Sequence, residues 1–141
     1  MSGISWKADV GVNHTPAYQV SGRPFATGSV DATTAVKVEF PFVTRWIYVV
    51  NNGAADLNVG FSEAGVDSTA GGTNFFTIPA STTTAGDGLV SNSQRLELKI
   101  SELWLSGSGD VDVCAGLTSI AVDKVSMGTG KPSWSGSVGV G

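Results

Sequence analysis

The chain has 141 residues, which is typical of one domain, and a chain of this length buries roughly two-thirds of the surface that it exposes when unfolded. Only 14% of its residues are charged, its net charge is −4, and its eight Lys and Arg residues are scattered, which excludes the basic stripe of a nucleic-acid-binding protein. Because charged residues are depleted from interface cores, this composition favours a protein that works packed against neighbours.

Residues 1–34 are predicted to form an extended N-terminal arm with short strands, because isolated apolar residues alternate there with Gly, Pro and polar residues. The start of the chain lacks a basic region followed by an apolar run, and no stretch approaches the length of a membrane span. We therefore expect a chain that is neither exported by a signal peptide nor inserted in a membrane.

Four short segments then follow one another as strand, strand, turn and strand. Apolar side chains alternate with charged ones in residues 36–40, as in a strand with one buried face. Residues 46–50 are aromatic and β-branched, which predicts a strand that is buried on both faces. The Asn-Asn-Gly sequence at 51–53 supplies the tolerance of positive φ that a tight turn needs, and alternation resumes in residues 57–61.

Two polar loops flank the next predicted strand. Residues 63–74 form a Gly-rich loop, residues 75–78 form a short strand that Pro79 ends, and residues 80–93 form a loop rich in Ser and Thr. Loops of this length on a compact sandwich usually contact a neighbour or a ligand.

A weaker copy of the first unit follows. Residues 96–100 alternate like residues 36–40, Leu103-Trp104-Leu105 takes the place of residues 46–50, and residues 111–115 take the place of residues 57–61. We interpret this as a pseudo-repeat in which two halves bury their apolar faces against each other. The alternative is that hairpins of one fold class look alike by chance.

The remaining chain completes an all-β pattern. Ile120 and Val122 are predicted to finish the last strand, and residues 127–141 form a Gly- and Ser-rich C-terminal tail. No run has the apolar spacing of a helix long enough to bury a stripe. The sequence therefore predicts an antiparallel β-sandwich over residues 35–126, with about seven to nine strands in a jelly-roll or related Greek-key topology.

Residues able to carry chemistry are few. The single histidine, His14, and the single cysteine, Cys114, offer little material for a catalytic triad or a zinc site, and Cys114 is expected to be a small buried hydrophobic residue in a reducing compartment. Carboxylates cluster on two loops, as Asp110 with Asp112 and as Glu63 with Asp67. Clustered carboxylates on loops can bind calcium, but turns favour Asp for conformational reasons alone. We expect no enzymatic activity, no metal and no cofactor.

The four tryptophans separate into two pairs. Trp46 and Trp104 occupy matching places in the two halves and are predicted to lie in the core. An aromatic residue in a polar arm is a good anchor, because its burial removes a large apolar area from water in one step. The predicted partner-binding residues are Trp6, Tyr18, Phe25 and Trp134. The alternative is that they fold back on their own sandwich.

In style, residues 36–122 resemble the small jelly-roll decoration or cement proteins on the heads of tailed bacteriophages. The resemblance lies in Phe40-Pro41-Phe42-Val43-Thr44-Arg45-Trp46-Ile47 before an Asn-Gly turn, in the Ser- and Thr-rich loops, in the extended ends and in Glu102-Leu103-Trp104-Leu105-Ser106-Gly107. Members commonly form trimers and bind the major capsid protein through loops and arms. The resemblance implies a homotrimeric structural virion protein on the capsid surface, assembled in the host cytoplasm, without a nucleic-acid or membrane partner.

A second interpretation stays open at this point. The chain could be a carbohydrate-binding or lectin-like module of a phage fibre or spike, which would use an exposed aromatic platform and the loops at residues 63–74 and 80–93. Coplanar, exposed tryptophans or tyrosines would distinguish it from a decoration protein. A small β-sandwich hydrolase would need a polar cleft, and the sequence gives no positive sign of one.

Overall fold

A computed structural model of the chain describes residues 22–81, 91–93, 95–125 and 134–141. Within them the fold is all-β apart from one helical turn and two short 3₁₀ turns. The elements are β1 (Arg23–Val30), β2 (Val36–Glu39), β3 (Thr44–Asn51), β4 (Leu57–Gly60), α1 (Glu63–Val66), β5 (Phe75–Ile78), β6 (Ser91–Asn92), β7 (Glu102–Ser106) and β8 (Val111–Leu117). The 3₁₀ turns are Ser68–Ala70 and Val122–Val125.

These strands form two four-stranded antiparallel sheets. Sheet A has the order β1-β8-β3-β6, and sheet B has the order β2-β7-β4-β5. Since successive strand residues point to opposite faces, alternate residues of both sheets meet in one shared interior. The core includes Val38, Phe40, Ile47, Val49, Leu57, Val59, Ile78, Leu103, Leu105, Val111, Val113, Ala115 and Leu117. An antiparallel β-sandwich, as predicted, is therefore the architecture.

The same register relation occurs in both sheets. In sheet A, Trp46 lies opposite Gly116, and in sheet B, Trp104 lies opposite Gly60. Each tryptophan belongs to one half of the predicted pseudo-repeat, and each glycine belongs to the other half. The two halves therefore exchange strands, so that both sheets contain strands from both halves.

These registers correct one detail of the predicted repeat. Val59 pairs with Leu105, and Ala115 pairs with Ile47 in the corresponding position of the other sheet. The counterparts of residues 57–61 are therefore residues 113–117, two positions later than alternation alone indicated. The alternation pattern has a period of two residues, so it cannot distinguish registers that differ by two.

Residues 96–100 do not form the predicted strand. Leu96 makes one bridge with Ile47, and this bridge corresponds to the pairing of Val36 with Leu105 in sheet B. Beyond it the ladder is interrupted, because the register between β3 and β8 shifts at Arg45. A β-bulge of this kind bends the strand and stops regular pairing.

Two chain ends also differ from the prediction. Arg23–Val30, assigned from the sequence to the arm, is an eight-residue strand of sheet A that pairs with β8. At the other end β8 stops at Leu117, and Ile120 turns inward to pack with Val43 and Val125 instead of extending the strand. Thr118 favours this stop, because its hydroxyl donates to the Val43 carbonyl at 2.7 Å.

The turn after β3 depends on side-chain hydrogen bonds, and positive φ plays no part in it. None of Asn51, Asn52 and Gly53 has a positive φ, so that part of the prediction is wrong. Buried Asn51 accepts from the Gly53 N–H at 3.0 Å and from the Ser108 hydroxyl at 2.6 Å. Gly53 is required because a Cβ there would overlap Ser108 Oγ.

Among the described residues, no helix is long and apolar enough to cross a membrane.

Candidate functional site

The side of sheet A that faces away from the core is the candidate site. Residues directly opposite each other in antiparallel strands share a face, so the partners of the inward residues of β8 also point inward and the intervening residues point outward. We call the outward set the sheet A outer face: Pro24, Ala26, Trp46, Tyr48, Val50, Asp112, Cys114 and Gly116. Seven of these eight side chains carry no charge.

On this face the side chains of β1 and β8 are mostly small, and those of β3 are larger and include two aromatic residues. Small residues occupy β1 and β8, where Ala26 pairs with Cys114 and both are exposed. The neighbouring strand β3 carries Trp46 and Tyr48, which are half-buried and stand beside Gly116 and Cys114. Aromatic side chains with few charged neighbours are typical of the centre of a protein interface.

A charged group closes one end of the face. Glu97 forms ion pairs with Arg45 and with Arg95, whose Nε lies 2.7 Å from Glu97 Oε1. The Arg95 guanidinium also lies 6.0 Å from the centroid of the Trp46 ring, within range of a cation–π contact. The bulge at Arg45 creates this arrangement, because it turns two consecutive residues of β3 away from the core.

The single carboxylate of the face is held by its neighbours. Asp112 Oδ1 accepts from the Ser29 N–H at 2.9 Å, and Asp112 Oδ2 accepts from Asn52 Nδ2 at 2.8 Å. Both oxygens of this carboxylate are thus bonded within the fold, at the end of the face opposite to Trp46. An apolar partner would leave these hydrogen bonds intact.

Two positions of the face correct the sequence prediction. Cys114 is exposed and free, whereas a buried residue was expected. Trp46 is half-buried on the outer face and does not belong to the core, and Trp104 has the same position on sheet B. Both errors have one cause, since the sequence does not show which side of a mostly apolar strand meets the other sheet.

The outer face of sheet B is different in kind. Lys37 lies there with Nζ 2.6 Å from Glu39 Oε1 and 6.0 Å from the centroid of Trp104. The hydrogen bond to Glu39 raises the pKa of Lys37 above its ordinary value. Val66 of α1 packs onto this face, and a Cβ at Gly60 would come within 2.5 Å of Val66 Cγ1.

The C-terminal segment 134–141 adds to this cover. Buried Ser62 caps α1 by accepting from the Gly65 N–H at 2.9 Å, and its hydroxyl donates to the Val140 carbonyl at 2.6 Å. A Cβ at Gly65 would overlap that same carbonyl, so glycine is needed for the close approach. The chain itself therefore covers the outer face of sheet B around Gly60, whereas Thr77 on the same face is exposed.

The predicted partner-binding residues are not brought together among the described residues. Phe25 lies in β1 and packs edge-on against Phe40 at 5.0 Å between ring centroids, in contact with its own core. Trp134 begins the C-terminal segment and is 40% exposed. Trp6, Tyr18 and also His14 lie outside the described residues.

The carboxylates on loops have structural partners. Asp67 accepts from the Thr69 hydroxyl and from the Thr69 and Ala70 N–H groups, and these bonds, the Thr69 side chain first, hold the pKa of Asp67 below its ordinary value. The described part of the chain contains no group of three or more His, Cys, Asp or Glu residues placed to hold a metal ion.

A shallow cavity of about 320 Å³ lies beside the edge strand β5. Its lining includes Phe61, Asn74, Phe75 and Phe76, and Phe76 is 37% exposed. Aromatic surface next to an amide is the composition of many small-ligand sites.

The sequence analysis did not identify the sheet A outer face. The available signal was the absence of charge at alternate positions in two strands, 46, 48 and 50 and 114 and 116. Comparison with known protein families, with curated proteins and with solved structures gave no significant match.

Proposed function

We propose that this chain is a non-enzymatic structural virion protein, a decoration or cement protein that binds the major capsid protein and stabilises a phage head. The observation that carries the proposal is the nearly uncharged sheet A outer face. A face with aromatic side chains and a single carboxylate fits a protein contact, whereas the outer face of sheet B carries Lys37 with its ion pairs and is covered by α1 at Gly60.

We further propose that the sandwich is a jelly roll. Its support is the order of the strands: β1 pairs with β8, β2 with β7, β3 with β6 and β4 with β5. Each strand of the first half thus pairs with its counterpart counted from the other end of the chain, as when one long hairpin is wrapped into two sheets. The resemblance to head decoration proteins implies the same topology.

The proposed mechanism is clamping across capsid subunits. A homotrimer would present three copies of the sheet A outer face, and linked contacts gain avidity even where each one is weak. Binding to the assembled shell, and not to its separated subunits, would raise the free energy needed to rupture it. The exposed Ala26 and Cys114 would form the centre of each contact, with the charged group at Arg45 on its rim.

Reconstituted shells test this function. Shells of the major capsid protein should rupture at a higher temperature with the chain bound than without it. Cys114→Asp, which places an uncompensated charge in the middle of the proposed contact, should abolish both binding and the gain in rupture temperature.

The matched control puts the same charge on the other sheet. Thr77 is exposed on the outward side of β5, so Thr77→Asp should leave binding and rupture temperature unchanged. If shells rupture at one temperature whether or not the chain is present, the clamping function is wrong. If the two variants behave alike, the contact does not use sheet A.

A carbohydrate-binding module is the second candidate, and the cavity beside β5 favours it. Phe76 would stack on a sugar ring while the Asn74 amide bonds its hydroxyl groups. A glycan array should then show binding that Phe76→Ala removes. An array without any binding would dismiss this candidate.

A further inference from the structure

The turn between β3 and β4 contains a dipeptide that the proposed function does not use, Asn52-Gly53. Asparagine is chemically labile, and glycine as the next residue places no side chain in the way of ring closure. The Gly53 nitrogen attacks Asn52 Cγ, the bond from Cγ to the amide nitrogen breaks, and ammonia leaves with the displaced proton. Water then opens the cyclic imide to a carboxylate, with either the normal or the rearranged backbone.

Both reacting groups are engaged in hydrogen bonds in the folded chain. The Gly53 N–H donates to Asn51 Oδ1 at 3.0 Å, so the attacking nitrogen is held by a side chain. The Asn52 amide donates through Nδ2 to Asp112 Oδ2 at 2.8 Å, so the group under attack is tied to β8. Reaction requires the two atoms in an aligned near-attack geometry, and these bonds oppose the rotation that would align them.

The turn cannot rearrange without breaking a larger network. Asn51 Oδ1 also accepts from the Ser108 hydroxyl at 2.6 Å, and Asn51 Nδ2 donates to the Ala55 carbonyl at 2.9 Å and to the Pro79 carbonyl at 3.0 Å. Asn51 is fully buried, so breaking these bonds leaves polar groups without partners. These hydrogen bonds of Asn51 therefore oppose any opening of the turn that contains Asn52.

We propose that Asn52 is a gated deamidation site. With the turn closed, Asn52 reacts slowly, and opening of the turn between β3 and β4 exposes it to rapid conversion. This proposal rests on the turn itself and is independent of any function on a phage head.

The conversion would prevent the turn from closing as before. A carboxylate at position 52 would face Asp112 Oδ2, where the Asn52 amide now donates, and two carboxylates at that distance repel each other. Asp112 also accepts from the Ser29 N–H at the irregular end of β1, so the disturbance would reach the edge of sheet A. A second negative charge would appear at the rim of the sheet A outer face.

Peptide mass spectrometry on the full chain tests the gate. The chain is incubated in mildly alkaline buffer, once folded and once in urea, and conversion at Asn52 is followed by the mass increase of an amide that becomes a carboxyl. We expect conversion in the folded chain to be slower by about tenfold or more, because only locally opened molecules react. Equal rates in the two conditions would overturn the proposal.

Three further variants distinguish protection by this network from a general loss of structure. Ser108→Ala removes one donor to Asn51 and should speed conversion while the melting temperature shows that the chain is still folded. Asn52→Asp should lower the melting temperature, and adding Asp112→Asn should restore it by returning an amide to the pair. If Ser108→Ala converts no faster, the network does not protect Asn52 and the proposal is wrong. If Asn52→Asp melts like the native chain, the proposed effect of conversion on the turn is wrong.

Discussion

The outer faces of the two sheets have equivalent strand registers but differ in which segments of the chain lie over them. Each has a tryptophan opposite a glycine, Trp46 with Gly116 on sheet A and Trp104 with Gly60 on sheet B. Each tryptophan also has a cation 6.0 Å from its ring centroid, Arg95 at Trp46 and Lys37 at Trp104, and each cation pairs with a glutamate. The register and the charges beside the tryptophans therefore do not distinguish the two faces.

The two outer faces differ in the segments of the chain that lie over them. Sheet B has the α1 turn above Gly60, and the C-terminal segment is bonded to it through Ser62. On sheet A, Ala26 and Cys114 at the centre of the face are exposed. Among the described residues, the chain itself therefore covers sheet B at Gly60 but leaves the centre of the sheet A outer face exposed, and this is why we propose that face as the partner surface.

The largest expected effect lies in the interior that both sheets share. Ile47 and Leu105 occupy equivalent registers and are fully buried, so Ile47→Ala and Leu105→Ala should each lower the free energy of unfolding by about 2–5 kcal/mol. Urea titration measures both losses, and Val138→Ala is the control that should change nothing, because Val138 is fully exposed. A small loss at one site alone would break the equivalence of the two halves.

A smaller effect is expected from the cover of sheet B. Gly60→Ala places a Cβ 2.5 Å from Val66 Cγ1 and 2.8 Å from the Asn74 carbonyl oxygen. Overpacking of this kind should lower the free energy of unfolding by about 1–3 kcal/mol. Gly22→Ala is the matched control, because no atom lies within 4 Å of the added Cβ. Equal stability of the two variants would show that the α1 turn does not need this contact.

The smallest expected effect lies in the loop after α1, where Asp67 caps the 3₁₀ turn Ser68–Ala70. Hydrogen bonds from Thr69 and Ala70 lower the pKa of Asp67, so its stabilising contribution is present above the unfolded pKa and is lost as the pH falls through the folded pKa. Asp67→Ala should therefore melt slightly below the native chain at neutral pH, and the difference should shrink in acid. A difference that stays constant through the acidic range would contradict this account.

Much of the fold could be predicted from the sequence. The strands β2, β4 and β8 were predicted near their observed positions from alternation, and β3, β5 and β7 from short apolar runs next to turn residues. The strand β1 was missed because Pro24 and Gly28 interrupt its pattern. The stretch 96–100 was assigned wrongly because a bulge on its neighbour, which local sequence does not reveal, ends the pairing.

The candidate site was much harder to predict. Trp46 was assigned to the core because a large apolar residue in a strand is buried more often than not, and only the register of Gly116 and Ile47 shows that it points outward. Cys114 was misjudged for the same reason. A face is defined by residues far apart in the chain, so its chemistry becomes visible only when the strand order is known.

The most direct test of the account is the reactivity of the Cys114 thiol toward a maleimide, in the free chain and in a purified particle that contains it. Cys114 is exposed, so it should react in the free chain and be protected in the particle. Thr77→Cys in a Cys114→Ser background should react in both, because position 77 lies on the other sheet. Equal reactivity of Cys114 in both states would contradict the claim that the sheet A outer face is the partner surface.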